Sequence, residues 1–270
     1  MSDNVARDAS LQLINDAKQL SPDFQVELRN FLMALADTKH ALGLRYAEWC
    51  DRAPRLEAGV AASAMAQDQL GQARVLYALI QTFPGAPADL DDERRQHDTN
   101  LAYLDQPLGS WTTFVVANLL IGAAVTCAEE ALADSRFAPL RSRMPKMLEE
   151  ERFHRTHAEG WFKYLQTLGE SFQLEQAQAS ERILPEVLCW FGDAQHLRLS
   201  AEQIITCEPG ELRERYLERV GPLLQESAAH DLVRFHVQAQ RWSYPRPLPW
   251  DEFDPVTRRV KTDGGRESSS

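Results

Sequence analysis

This 270-residue chain holds little that would mark a disulfide framework, a secreted product or a nucleic-acid binder. It has four cysteines, Cys50, Cys127, Cys189 and Cys207, with no C-x-x-C pair and no zinc-type spacing. Cys50, Cys127 and Cys189 sit among apolar residues and are expected to be buried thiols. There is no G-x-S-x-G, no P-loop and no G-x-G-x-x-G, so the usual signatures of serine hydrolases and nucleotide-binding folds are missing. Strand-like alternation and Asn-Gly hairpin signals are missing as well. Residues Met1 to Arg7 lack a basic start followed by an apolar run, so no signal peptide is expected. The most apolar stretch, Phe114 to Ala128, is shorter than the ~20 residues of a membrane span and is interrupted by Asn118 and Thr126. The net charge of -11 argues against nucleic acid or an anionic membrane as the main partner. A cytoplasmic protein is expected.

What is present is helix. Ser21-Pro22-Asp23 is a strong start, with serine at the N-cap, proline at the first position and an acid in the first turn. That helix is expected to run to about Asp51, before Pro54, and a second from Leu56 to about Phe83, ended by Pro84-Gly85-Ala86-Pro87. The charged segment Asp91 to Asp98 reads as a short helix or turn. Ser110 caps a third helix, Trp111 to Ala133, apolar nearly all round and therefore central. A fourth is expected from Pro139 to Leu168 with a kink at Pro145, followed by helices over Leu184–Leu199 and Glu211–Trp242. Four helices of about 23 to 30 residues exceed the usual ~10 to 14, and their short connections imply an antiparallel bundle. Residues 1–243 read as one all-α domain, a four-helix bundle with additional C-terminal helices, and 244–270 as a Pro-rich, then polar arm that is extended or without fixed structure.

The segment that carries chemistry is Glu150-Glu151-Arg152-Phe153-His154. Glu151 and His154, three residues apart on a helix, project from one face. Di-iron bundles use two such Glu-x-x-His pairs plus a Glu from each remaining helix. The inward rows here are Leu35-Lys39-Leu42-Tyr46 on the first helix, Met65-Gln69-Gln72-Leu76 on the second, Phe114-Asn118-Ile121-Val125-Ala128 on the third and Met147-Glu151-His154-Ala158 on the fourth. Two neutral amides and a lysine stand where iron would need carboxylates and imidazoles, and the third row offers no ligand in its middle. A metal-free polar cluster follows, in which Lys39 supplies positive charge to Glu151 while Gln69, Gln72 and His154 fill the hydrogen bonds. The competing account makes Glu151 and His154 a chance surface pair and lets Lys39 snorkel to solvent. Asp68 is expected to pair with Arg45 or Arg74 in a structural role. Asp37-x-x-His40 and Asp193-x-x-His196 have ligand spacing too, and read as surface or capping residues.

The stretches Leu42 to Glu57, Gln67 to Arg74, Asp105 to Trp111 and Glu150 to His154 resemble the family of bacterial phenylacetyl-CoA epoxidase that comprises its A and C components, and the Glu-Trp-Cys and Leu-Gly-Gln-Ala-Arg strings point to the structural C component. The resemblance implies a ferritin-like fold. The family's catalytic member has a Glu, a Glu-x-x-His, an acid and a second Glu-x-x-His along the four helices. The matching positions here are Lys39, Gln69 with Gln72, Ile121, and Glu151 with His154. The resemblance thus implies a structural subunit without its own cofactor, paired with a catalytic homologue that holds the di-iron centre and takes electrons from a reductase. That complex would epoxidise the ring of phenylacetyl-CoA with dioxygen. Alone, the chain is compatible with a homo-oligomer. The retained Glu151-x-x-His154 and the extension Tyr244–Ser270 depart from the pattern of the C component and leave room for a divergent paralogue. Two alternatives stand beside this reading: a stand-alone metal-dependent oxygenase or oxidase that uses Glu151 and His154 and recruits Asp68 or Glu48, and a metal-free acyl-CoA-binding helical protein.

Overall fold

Apolar rows at helical spacing fold into a bundle built on four long helices. The computed structural model describes residues 12–87, 90, 100–193 and 199–261. The long helices are α1 (Pro22–Ala47), α2 (Leu56–Ile80), α3 (Trp111–Ala133) and α5 (Met144–Gln166), with a one-turn α4 (Ala138–Arg141) before the last. α1 packs along α2 and α3 along α5, while α6 (Glu170–Trp190) and α7 (Pro209–Gln225) cover the remaining sides of α3. The architecture is all-α and ferritin-like, with two extra helices toward the C-terminus. The segment Asp91–Asp98 and residue His196 lie outside the described residues.

α3 occupies the centre because almost every side chain on it is apolar. From Trp111 to Leu132 only Thr113 and Glu130 are not buried. Its N-terminus is closed by a capping box in which the Ser110 hydroxyl accepts from Thr113 N–H and the Thr113 hydroxyl from the Ser110 N–H. The apolar stretch expected to be too short for a membrane belongs to a 23-residue helix that is long and apolar enough by length and composition; 94% of its most apolar window is buried inside the protein.

Several boundaries differ from expectation. The helix expected over Pro139–Leu168 is two helices, because Ser142 and Arg143 interrupt it and Pro145 stands in the first turn of α5, where its missing N–H costs nothing. The helix expected over Leu184–Leu199 begins at Glu170 and ends at Trp190. Gly169 at φ 123° and Gly192 at φ 78° bracket it, and Pro185 lies within its last two turns. The helix expected over Glu211–Trp242 ends at Gln225 and gives way to an antiparallel hairpin, β1 (Arg234–His236) with β2 (Arg241–Ser243). A second short hairpin joins β3 (Phe253–Asp254) to β4 (Arg259–Val260). Of the cysteines, Cys127, Cys189 and Cys207 are buried, while Cys50 is exposed in the turn after α1, contrary to expectation; all four are free thiols.

Candidate functional site

Lys39 lies on the buried face of α1, one turn from Leu35 and Leu42, and its side chain is fully enclosed. The ammonium therefore points into the bundle rather than to solvent. Its Nζ donates to Glu151 Oε1 at 2.8 Å and lies 2.7 Å from Glu129 Oε1. It also reaches Gln69 Oε1 at 3.3 Å and Gln72 Oε1. Three N–H donors thus face four acceptors, two of them carboxylates from different helices.

The amides continue the network. Gln69 Nε2 donates to Glu151 Oε1 at 2.7 Å, and Gln72 Nε2 donates to Glu150 Oε2 at 2.7 Å. His154 Nδ1 lies 3.3 Å from Glu151 Oε2, and its Nε2 lies 3.2 Å from Asp68 Oδ2. An imidazole with a carboxylate at each nitrogen is best satisfied as the cation, since both nitrogens then donate. Burial opposes that charge, but the Asp68 and Glu151 hydrogen bonds outweigh it and raise the His154 pKa to about 9.

The two central carboxylates divide their roles. Burial pushes Glu129 up to about 7, against the pull of Lys39. Burial also works against ionisation of Glu151, yet Lys39 and His154 together hold it down at about 2. Burial works against the charge on Lys39, but the charges of Glu129 and Glu151 outweigh it and raise its pKa. Glu129 Oε2 meets no hydrogen-bond donor, which fits the weaker hold on its charge.

The structure brings together Lys39, Gln69, Gln72, Glu151 and His154, as the rows predict. It corrects the reading of α3. Ile121 is buried and carries no polar group, whereas Glu129, about two turns further on, supplies a carboxylate from this helix. The signal was available: stepping four residues from Val125, rather than three, reaches Glu129. Asp68 pairs with His154 and not with Arg45 or Arg74. Glu48 is not in the cluster; it pairs with Arg45 at 2.7 Å at the end of α1. Asp37 accepts from the Tyr77 hydroxyl at 2.7 Å, which gives it a structural role.

Two cavities flank the cluster along the α2–α5 cleft. The first, about 520 Å³, is lined by Asp68, Gly71, Gln72, Arg143, Lys146 and Glu150. The second, about 330 Å³, lies at the far end of the cleft, against His157, Trp161 and Tyr164. In the core Tyr46 donates to Asn118 Oδ1 at 3.1 Å and meets Phe114 edge-on, beginning an aromatic nest that runs through Trp111 to Trp161.

Comparison with known proteins gives the family of the chain. The chain is similar to the C component of 1,2-phenylacetyl-CoA epoxidase of Escherichia coli (strain K12), 30% identical over 145 residues. That match covers 52% of this chain and 57% of the relative, so it spans little more than half the length of either. The phenylacetic acid catabolic protein family matches residues 3–231, which takes in all seven helices of the bundle, and the chain belongs to that family.

Proposed function

We propose that this chain is a structural, non-catalytic subunit of a multicomponent aromatic-CoA oxygenase of the phenylacetyl-CoA epoxidase kind, supporting a homologous di-iron subunit in cytoplasmic phenylacetate catabolism. The observation that carries the proposal is the position of Lys39 Nζ, 2.7 Å from Glu129 and 2.8 Å from Glu151. An ammonium stands where carboxylates of a di-iron bundle would share their metal. The donor set does not fit two iron ions. It offers two neutral amides and a permanent cation in place of a Glu-x-x-His pair and a Glu. Among the described residues, no group of three His, Cys, Asp or Glu side chains converges on a common point where a metal could sit.

Replacing the metal by an internal lysine keeps the bundle's electrostatics closed. A buried carboxylate pair without a cation would cost several kcal/mol, and Lys39 offsets that from within the chain. A subunit so built keeps the family's helix packing and lends its surface, not its centre, to the complex.

The test is metal content per chain, on protein from iron-replete cells without chelators, together with co-purification of an intact Glu-x-x-His homologue expressed alongside it. Iron near zero in this chain and a stable heteromer is the expected result. One or two metals per chain, lost in His154→Ala, would make it an oxygenase or oxidase in its own right. A second reading, a metal-free acyl-CoA binder, draws on the 520 Å³ cavity with Arg143 and Lys146 on its wall. It requires a rise in Tm with phenylacetyl-CoA in the absence of any partner.

A further inference from the structure

The end of the α2–α5 cleft away from Lys39 has an unusual surface. Arg52 and Arg55, in the turn between α1 and α2, are exposed and have no carboxylate partner among the described residues. Arg52 lies over the Trp49 ring at 5.1 Å, and Arg55 over the Tyr164 ring at 5.5 Å, donating to its hydroxyl at 3.2 Å.

Beside them is the 330 Å³ socket, open to solvent and mostly apolar, with Trp161, Tyr164 and His157 on its walls. A side chain at Gly160 would meet nothing within 4 Å, so α5 leaves open space there. Exposed apolar side chains follow the socket's lining residues Arg55 and Tyr164 in the sequence. Leu56 is 82% exposed and Val60 63%, one turn apart at the start of α2, and Leu168 follows Tyr164 by one turn beyond α5. Among the described residues, both ring nitrogens of His157 on the socket wall, and Trp111 Nε1 packed against His157 and Trp161, are buried without a hydrogen-bond partner. Such groups call for an explanation in a finished surface.

We propose that this face docks the partner subunit, which inserts a large aromatic side chain into the socket beside Gly160 and sets carboxylates against Arg52 and Arg55. The inference rests on the subunit reading above and names the surface that reading requires. The socket has room for a large aromatic side chain, and aromatic anchors seated in pockets, like arginines, are enriched at the centres of protein interfaces. A two-fold contact centred on Arg52 and Arg55 would bring like charges of two copies together. Carboxylates on the partner subunit would complement the two arginines.

The test is the dissociation constant between this chain and the co-expressed catalytic homologue. Two variants act on the face without touching the core: the double charge reversal Arg52→Glu with Arg55→Glu, and Gly160→Phe, which plugs the socket. Val237→Asp, on the turn of the β1–β2 hairpin and 71% exposed, is the control. Each face variant is expected to weaken the complex by about ten-fold or more, at unchanged Tm, while the control binds as wild type. Wild-type affinity in both face variants would overturn the inference, as would an equal loss in the control. Dissociation of a homodimer by the same variants, with the heteromer untouched, would overturn it in favour of a second copy. If the wild-type chain binds no homologue at all, the subunit reading itself falls and takes this inference with it.

Discussion

Lys39 binds two carboxylates, and among the described residues the other cation within hydrogen-bond reach is His154, which meets Glu151 and is held by Asp68. Lys39→Met leaves Glu129 and Glu151 buried together and is expected to cost about 3–5 kcal/mol, read from denaturant unfolding. Adding Glu129→Gln to Lys39→Met removes one of the stranded charges and should recover part of that loss; no recovery would mean that the lysine stem, not its charge, matters. A pH dependence follows from His154. Its folded pKa of about 9 lies above the ordinary 6.5, so between these values the folded chain holds a proton that the unfolded chain has released. Stability is therefore fully present below about 6.5 and is lost as pH rises toward 9, by about 3 kcal/mol across the window. Glu129, raised to about 7, adds a loss that ends near the start of the same window. Thermal melts from pH 6.5 to 9 should show the decline in wild type and a much flatter profile in His154→Asn. A wild-type profile without that slope would mean that His154 is neutral in the fold.

At the scale of elements, legibility followed the strength of local signals. α3 was readable to the residue because Ser110 gives a capping box and an unbroken apolar run follows. The inward rows gave Lys39, Gln69, Gln72, Glu151 and His154 because i, i+3 and i+4 spacing fixes a helix face. Glu129 is not legible in the α3 row because an apolar helix offers equally good steps of three and four, and only a step of four from Val125 reaches it. The start of α6 was unreadable because Gln173 to Ser180 is too polar to show a period, and Pro185 reads as a break although the helix continues past it. The β1–β2 hairpin was unreadable for another reason: β1 is exposed along its whole length, so no alternation of burial is written into it. Element junctions carry their own constraint. A Cβ on Gly59, in the first turn of α2, would land on the Cys50 carbonyl oxygen, which only glycine allows. Gly59→Ala should therefore destabilise the chain in thermal melts, although alanine gains about 1 kcal/mol of helix propensity over glycine. A stabilised variant would show that the α1–α2 turn moves aside.

At the scale of the whole molecule, the question is what fastens residues 244–261 to the bundle. Their anchor is Arg258, which is buried in the turn between β3 and β4. Its Nη1 donates to the Trp190 carbonyl at 2.6 Å, and the guanidinium lies 4.9 Å from the centre of the Phe31 ring. Trp190 ends α6, so the arginine caps one of the carbonyls that a helix C-terminus leaves open. Burial lowers the Arg258 pKa to about 10, with the charge of Glu27 working the other way. Next to it Arg259 forks onto both oxygens of Asp105, tying the same turn to the segment before α3. Arg258 also sits at φ 57°, a left-handed conformation that strains any residue but glycine. Two substitutions separate the anchor from the strain. Arg258→Ala loses the cap and keeps the strain, and should cost about 1.5–3 kcal/mol. Arg258→Gly loses the same cap but relaxes the backbone, and should be less destabilised than alanine by up to about 1 kcal/mol. If glycine and alanine destabilise equally, the turn adapts and strain has no part in it. If neither lowers Tm, the anchor does not hold these residues to the bundle.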